Sequence, residues 1–118
     1  MESERNQKMS LVSIGHPKHL DTLVHDKNIH VRCNVARFGN DKHRDQLVHD
    51  EHPFVRWKVA KFGNDKHRDQ LVHDSNSDVR WTVAENGTEN HARALLKDKN
   101  GGVQQIARDR LKELGVDE

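Results

Sequence analysis

The chain copies itself every 24 residues. From Gly15 four segments align without a gap: GHPKHLDTLVHDKNIHVRCNVARF (15–38), GNDKHRDQLVHDEHPFVRWKVAKF (39–62), GNDKHRDQLVHDSNSDVRWTVAEN (63–86) and GTENHARALLKDKNGGVQQIARDR (87–110). The second and third share 17 of 24 residues, with twelve in a row from Gly39 to Asp50 matching Gly63 to Asp74. A fixed period of this size means that adjacent units bury one another's apolar groups in place of a single central core. The expected product is a stack whose main asset is its surface.

Length and composition fit that reading. A chain of 118 residues holds one domain, and four units exceed the roughly three that a repeat stack needs. Apolar residues make up 32% and charged residues 33%, a balance that predicts disorder in an aperiodic chain. Here the apolar residues recur at fixed offsets, which predicts a thin, repeated core. The formal charge of +1 points neither to a nucleic-acid binder nor to an acid-seeking protein. The lone Cys33 leaves no partner for an internal disulfide or a multi-cysteine metal site, and suits a reducing compartment. No apolar run approaches the roughly 18 residues of a membrane span, and the start, MESERNQKMS, lacks the apolar stretch of a signal peptide. A cytoplasmic protein without a membrane partner is expected.

Each unit reads as two helices. Gly39 and Gly63, following Phe38 and Phe62, are expected to end a helix in the left-handed conformation. Asp41 and Asp65 are expected to cap the next helix. That first helix, over Lys42 to His49, puts His43 and Leu47 on one face and pairs Asp45 with His49 on another. Pro53 suits the first position of the second helix, with Asn28 and Ser77 as caps at the same place. Val55, Val59 and Phe62 then form a buried stripe, repeated by Val31, Val35 and Phe38 and by Val79 and Val83, with Asn86 ending the series. Val103, Ile106, Ala107, Leu111 and Leu114 extend the spacing into a longer closing helix, a cap to about residue 114. Leu11, Val12 and Ile14 suggest half a repeat at the opposite end, after a loose tail over residues 1–9; residues 10–118 form the one domain.

The string LVHDxxxxVRxxVA at 23–36, 47–60 and 71–84 resembles the leucine-rich repeat variant family and, more distantly, short HEAT-like repeats. The resemblance covers Gly15 to Arg110; the LxLxxN strand of ordinary leucine-rich repeats is missing. It implies an all-α fold: a right-handed α-solenoid of four two-helix repeats with terminal caps, the first helix of each short and open to 3₁₀ geometry. It also implies a hydrogen-bonded ladder between units, carried by an aspartate and an arginine six apart. Those positions fall on Asp26 and Arg32, Asp50 and Arg56, and Asp74 and Arg80; the last unit keeps Asp98 but has Gln104, so the ladder should stop there. The iron–sulfur cluster of one member of the variant family sits on a separate cysteine-rich segment, which has no counterpart here.

Ten histidines invite a metal or catalytic reading. His19, His43, His67 and His91 hold one column, and His25, His49 and His73 another. Packed helices stand about 8 to 10 Å apart, too far for equivalent histidines to share an ion whose nitrogens sit at about 2.0 to 2.1 Å. The His-Asp pairs resemble those of metal phosphohydrolases, which need further ligands converging on one point, and a linear array does not supply them. No phosphate loop or nucleophile motif is present, and a lone cysteine reads as a packing group. No catalytic residue, metal or cofactor is assigned.

The column Cys33, Trp57, Trp81 lies about 200° from the buried stripe when each residue advances about 100°. Two tryptophans are thereby expected side by side on an outward face, and tryptophan is enriched in binding hot spots. The competing arrangement has each ring folded over the neighbouring unit. The residues assigned to a protein partner are Trp57 and Trp81 first, then Phe54, Lys58, Lys61 and Arg37. The expected function is a non-enzymatic binding module, an adaptor or an occluding inhibitor. The alternative is nucleic-acid binding along a basic strip of Lys18, Lys42, Lys66, Arg44 and Arg68, although Asp21, Asp45, Asp69, Asp41 and Asp65 recur beside it.

Overall fold

The computed structural model describes residues 17–116 and, of their side chains, those from residue 20 onward. The expected tail and the half-repeat at Leu11, Val12 and Ile14 lie outside the described residues, as do the side chains of Lys18 and His19. Eight helices and no strand occur among the described residues: α1 (Pro17–Leu23), α2 (Ile29–Phe38), α3 (Asp41–Leu47), α4 (Pro53–Phe62), α5 (Asp65–Leu71), α6 (Ser77–Asn86), α7 (Glu89–Leu95) and α8 (Gly101–Glu113). Short helices of seven residues alternate with longer ones of ten, the last having 13. The short ones are α-helical, not 3₁₀.

The described residues are all-α, with principal extents of 49 × 22 × 18 Å. Each long helix packs on the next, α2 on α4, α4 on α6 and α6 on α8, and each short helix packs on the long ones flanking it in sequence. A seven-residue helix is marginal alone, so these contacts hold it. One unit contributes two valines and an alanine from its long helix and a leucine from its short one: Val55, Val59, Ala60 and Leu47, for example, are all buried. Burying one such valine or leucine contributes about 1.5–3 kcal/mol.

Alanine, not phenylalanine, completes the buried stripe. Phe62 is half-buried and Phe38 is 39% exposed, whereas Ala36, Ala60 and Ala84 are sealed. The phenylalanines are the last residues of their helices and run past the cover of the neighbouring helix; the Arg37 guanidinium lies 4.8 Å from the Phe38 ring centre and 5.7 Å from that of Phe62. In the closing helix Val103, Ala107 and Leu111 are buried, but Leu114 follows its end and is 40% exposed. Gly115, at φ 73°, donates to Lys112 O while Val116 donates to Leu111 O, each at 3.0 Å, so the left-handed glycine stop occurs there.

It does not occur at Gly39 or Gly63, whose φ angles are −76° and −79°. Glycine is required at these positions for space. A Cβ on Gly63 would stand 2.5 Å from Val59 O and 2.6 Å from His67 Nδ1, and one on Gly39 2.5 Å from Val35 O and 2.8 Å from His43 Nδ1. The caps also differ from expectation. Asn40 and Asn64, one residue before the aspartates, have extended backbones and accept the amides of His43 and His67 at 3.1 Å. Asp41 and Asp65 are first helical residues and pair instead with Arg44 and Arg68, at 3.2 and 3.0 Å. At α6 the cap is Asn76, not Ser77; Asn28 and Pro53 stand where expected, with His52 as the cap before Pro53.

Candidate functional site

Two ladders tie the units together, and they account for most of the conspicuous polar residues. In the first, Arg32, Arg56 and Arg80 each reach one unit forward to a carboxylate, Nε to Oδ1 of Asp50, Asp74 and Asp98, at 2.8 to 2.9 Å. Each guanidinium also donates backward to a main-chain carbonyl of its own unit, that of Asp26, Asp50 or Asp74. The aspartate is shared further: Asp50 Oδ2 accepts the His52 amide at 3.0 Å, which sets the turn into α4. The ladder ends at Asp98, whose carbonyl accepts from Gln104, a side chain with no reach to a further carboxylate. Burial pushes the Asp98 carboxyl up, but hydrogen bonds from Arg80 and the Asn100 amide, with the charges of Arg80 and Lys99, together hold it below the ordinary carboxylate range.

The second ladder was not read from the sequence. His43, His67 and His91 are buried, and each Nε2 stands 2.6 Å from an aspartate of the preceding unit, Asp21, Asp45 or Asp69. Their Nδ1 atoms accept the amides of Asn40, Asn64 and Thr88 at 3.1, 3.0 and 2.9 Å. A capping box is thus built with histidine where glutamate or glutamine is usual. Asp45 therefore serves His67, not His49, which is exposed like His25 and His73. Both ring nitrogens of each buried histidine are engaged. Among the described residues no group of three or more His, Cys, Asp or Glu side chains could hold a metal ion.

The arginines of the basic strip are engaged as well. Arg44 donates to Ala36 O at 2.7 Å and Arg37 O at 3.1 Å, and Arg68 does the same at Ala60 and Lys61, closing the carbonyl end of the preceding long helix. Cys33 is half-buried, and burial pushes its thiol up despite the opposing charge of Lys58, so it lacks thiolate character.

The six residues assigned to a partner fall on one connected strip. Between α4 and α6 lies a groove of about 300 Å³ lined by Pro53, Phe54, Trp57, Asp78, Trp81 and Thr82. Phe54 is 57% exposed and Trp81 38%, while Trp57 packs partly against the core. The tryptophans do not stand straight out: the Trp81 ring lies over Gly102 of the next unit, where an added Cβ would meet it at 2.6 Å. One helical wheel places a ring relative to its own axis and omits the neighbouring helix that the ring leans on. Lys58 Nζ and Lys61 Nζ approach the Trp57 ring centre at 4.7 and 5.8 Å and that of Phe62 at 5.8 and 5.6 Å. Arg37, beside Phe62, continues the cationic end of the strip.

The second and third units differ at seven places, 51–54, 58, 61 and 62 against 75–78, 82, 85 and 86. Every one lies in the turn before the long helix or on that helix, around Trp57 and Trp81. No residue buried in the second unit differs in the third, and neither does any member of the two ladders.

Compared with models of protein families, with curated proteins and with solved structures, the chain matches none.

Proposed function

We propose that the chain is a right-handed α-solenoid of four 24-residue units with terminal caps, acting as a non-enzymatic module that binds a protein partner along the face formed by its long helices, as an adaptor or an occluding inhibitor. The observation that carries this reading is the distribution of differences between two otherwise identical units. Core and ladder are kept, and the positions around the paired tryptophans change. A surface serving only to seal the structure has no reason to change from unit to unit, whereas one that meets an asymmetric partner does. The half-exposed indoles, the exposed Phe54 and the groove between them are the kind of rigid aromatic ground on which binding energy concentrates. Arg44 and Arg68, held by main-chain carbonyls, leave the nucleic-acid reading with little support.

The test compares wild type with the double variant Trp57→Ala and Trp81→Ala as baits in a lysate of the source cell. A protein held by the former and released by the latter, with helical circular dichroism unchanged, supports the reading. Collapse of helicity in the double variant would instead give the indoles a packing role alone.

A further inference from the structure

Three of the long-helix columns change character from one end of the face to the other. Position by position, 24 residues apart, one reads Arg37, Lys61, Glu85, Asp109; a second reads Asn34, Lys58, Thr82, Ile106; a third reads His30, Phe54, Asp78, Gly102. Arg37, Lys61, Asp78 and Glu85 are all exposed. Within these columns the cations gather on α2 and α4 and the carboxylates on α6, with the aromatic groove at the crossing point; α8 adds only Asp109, which Arg108 and Arg110 flank and Gln105 bonds at 2.9 Å. Trp57 marks that boundary: Lys58 and Lys61 approach its ring, and the groove it lines is closed by Asp78 and Trp81. The ladder carboxylates offer the cationic end little compensation, since Asp50 and Asp74 are bound by Arg32 and Arg56.

Resting on the binding face proposed above, we infer that its occupant is an extended peptide segment with acidic residues at one end, one large apolar side chain at its middle and basic residues at the other end. The acidic end lies over Arg37, Lys58 and Lys61, the apolar side chain enters the groove between Trp57 and Trp81, and the basic end meets Asp78, Glu85 and Asp109. Dimensions set the spacing. Neighbouring helices lie about 8 to 10 Å apart and an extended chain advances about 3.3 Å per residue, so each unit is crossed by roughly three residues. From Arg37 to Asp109 the segment is then about nine residues long. Charge order supplies the direction and register that a groove of about 300 Å³ cannot.

The experiment has two arms, both on the full chain. In the first, a random peptide library on phage is selected on the immobilised protein and counter-selected on the Trp57→Ala, Trp81→Ala variant. In the second, two synthetic peptides of about ten residues and identical composition, each with one central phenylalanine and no tryptophan, are titrated while the emission of the chain's two tryptophans is followed. One peptide segregates its aspartates and lysines to opposite ends; the other alternates them. The segregated peptide should saturate the emission change and bind at least about tenfold more tightly than the alternating one. The double charge reversal Lys58→Glu and Lys61→Glu should remove that advantage without loss of helicity. Equal affinity of the two peptides, or library binders that depend on the tryptophans but carry another charge order, would overturn the inference and leave the binding face standing. A library yielding nothing that depends on Trp57 and Trp81 would overturn both.

Discussion

His67 joins two units and caps a helix with one ring: Nε2 donates to Asp45 Oδ1 at 2.6 Å, and Nδ1 accepts the Asn64 amide at 3.0 Å. The two bonds are not equivalent. Asp45 is 68% exposed and water can replace its contact, whereas the Asn64 amide is part-buried at the first turn of α5. Replacing His67 with leucine, which keeps bulk but removes the acceptor, should lower stability by about 1–3 kcal/mol. Asp45→Ala should lower it by less than about 1 kcal/mol. Urea denaturation of the two variants against wild type measures the difference, and equal losses would show that the bond between units dominates.

The same geometry dictates a tautomer. A nitrogen that receives an N–H bond carries no proton, so His43, His67 and His91 must hold theirs on Nε2, directed at Asp21, Asp45 and Asp69. Long-range ¹⁵N correlation spectra at neutral pH should show three histidines as the neutral Nε2–H form, distinct from exposed His25, His49 and His73. Finding the Nδ1–H form in the buried set would refute the capping role.

Asp98 ties stability to pH. Its folded carboxyl lies below the ordinary range, so Arg80 stabilises the ionised form and the folded state binds protons less readily than the unfolded chain. The contribution is fully present above the ordinary aspartate range. It is lost as pH falls through that range and on through the lower, folded value. Asp98→Asn should therefore be less stable than wild type at neutral pH, on the order of 3 kcal/mol because the Arg80 side chain is left buried without its anion. The gap should close toward acid, which chemical denaturation at pH steps from neutral down to about 2 would register.

Burial is legible in the sequence at the valines at i and i+4 and the leucine of the short helix, which need only the helical period; at the helix end the period points to Phe38 and Phe62, and alanine fills the stripe instead. The arginine rungs are what the resemblance to HEAT-like repeats implies, and the period alone does not give them. What escaped depends on the neighbour. His67 and Asp45 are 22 residues apart, a spacing with no meaning until one unit is laid against the next with an offset of two. A wheel drawn for one helix sets the tryptophans opposite the valines and cannot show that Trp81 leans on Gly102. Asn40 and Asp41, like Asn64 and Asp65, are adjacent good cap formers, and local preference does not separate them.

The glycines separate space from conformation. Gly63 has an ordinary backbone, so alanine there meets no conformational penalty, yet its Cβ would press on Val59 O at 2.5 Å and His67 Nδ1 at 2.6 Å. One of those atoms is main chain and the other belongs to a buried ring, so neither yields easily. Gly63→Ala should lower stability by about 1–3 kcal/mol, as overpacking does. Gly101 opens α8 with nothing within 4 Å of an added Cβ, and Gly101→Ala should raise stability by up to about 1 kcal/mol through helix preference and a less free unfolded chain. Gly102→Ala meets the rim of the Trp81 ring at 2.6 Å and, less closely, the Asn100 cap oxygen at 3.1 Å, so the ring swings outward and the cap gives slightly: stability changes little, but tryptophan emission moves to longer wavelength. Thermal denaturation of the three variants, with emission spectra of the third, checks all of this. A stable Gly63→Ala protein would mean that the junction between long and short helices has more room than its atoms show.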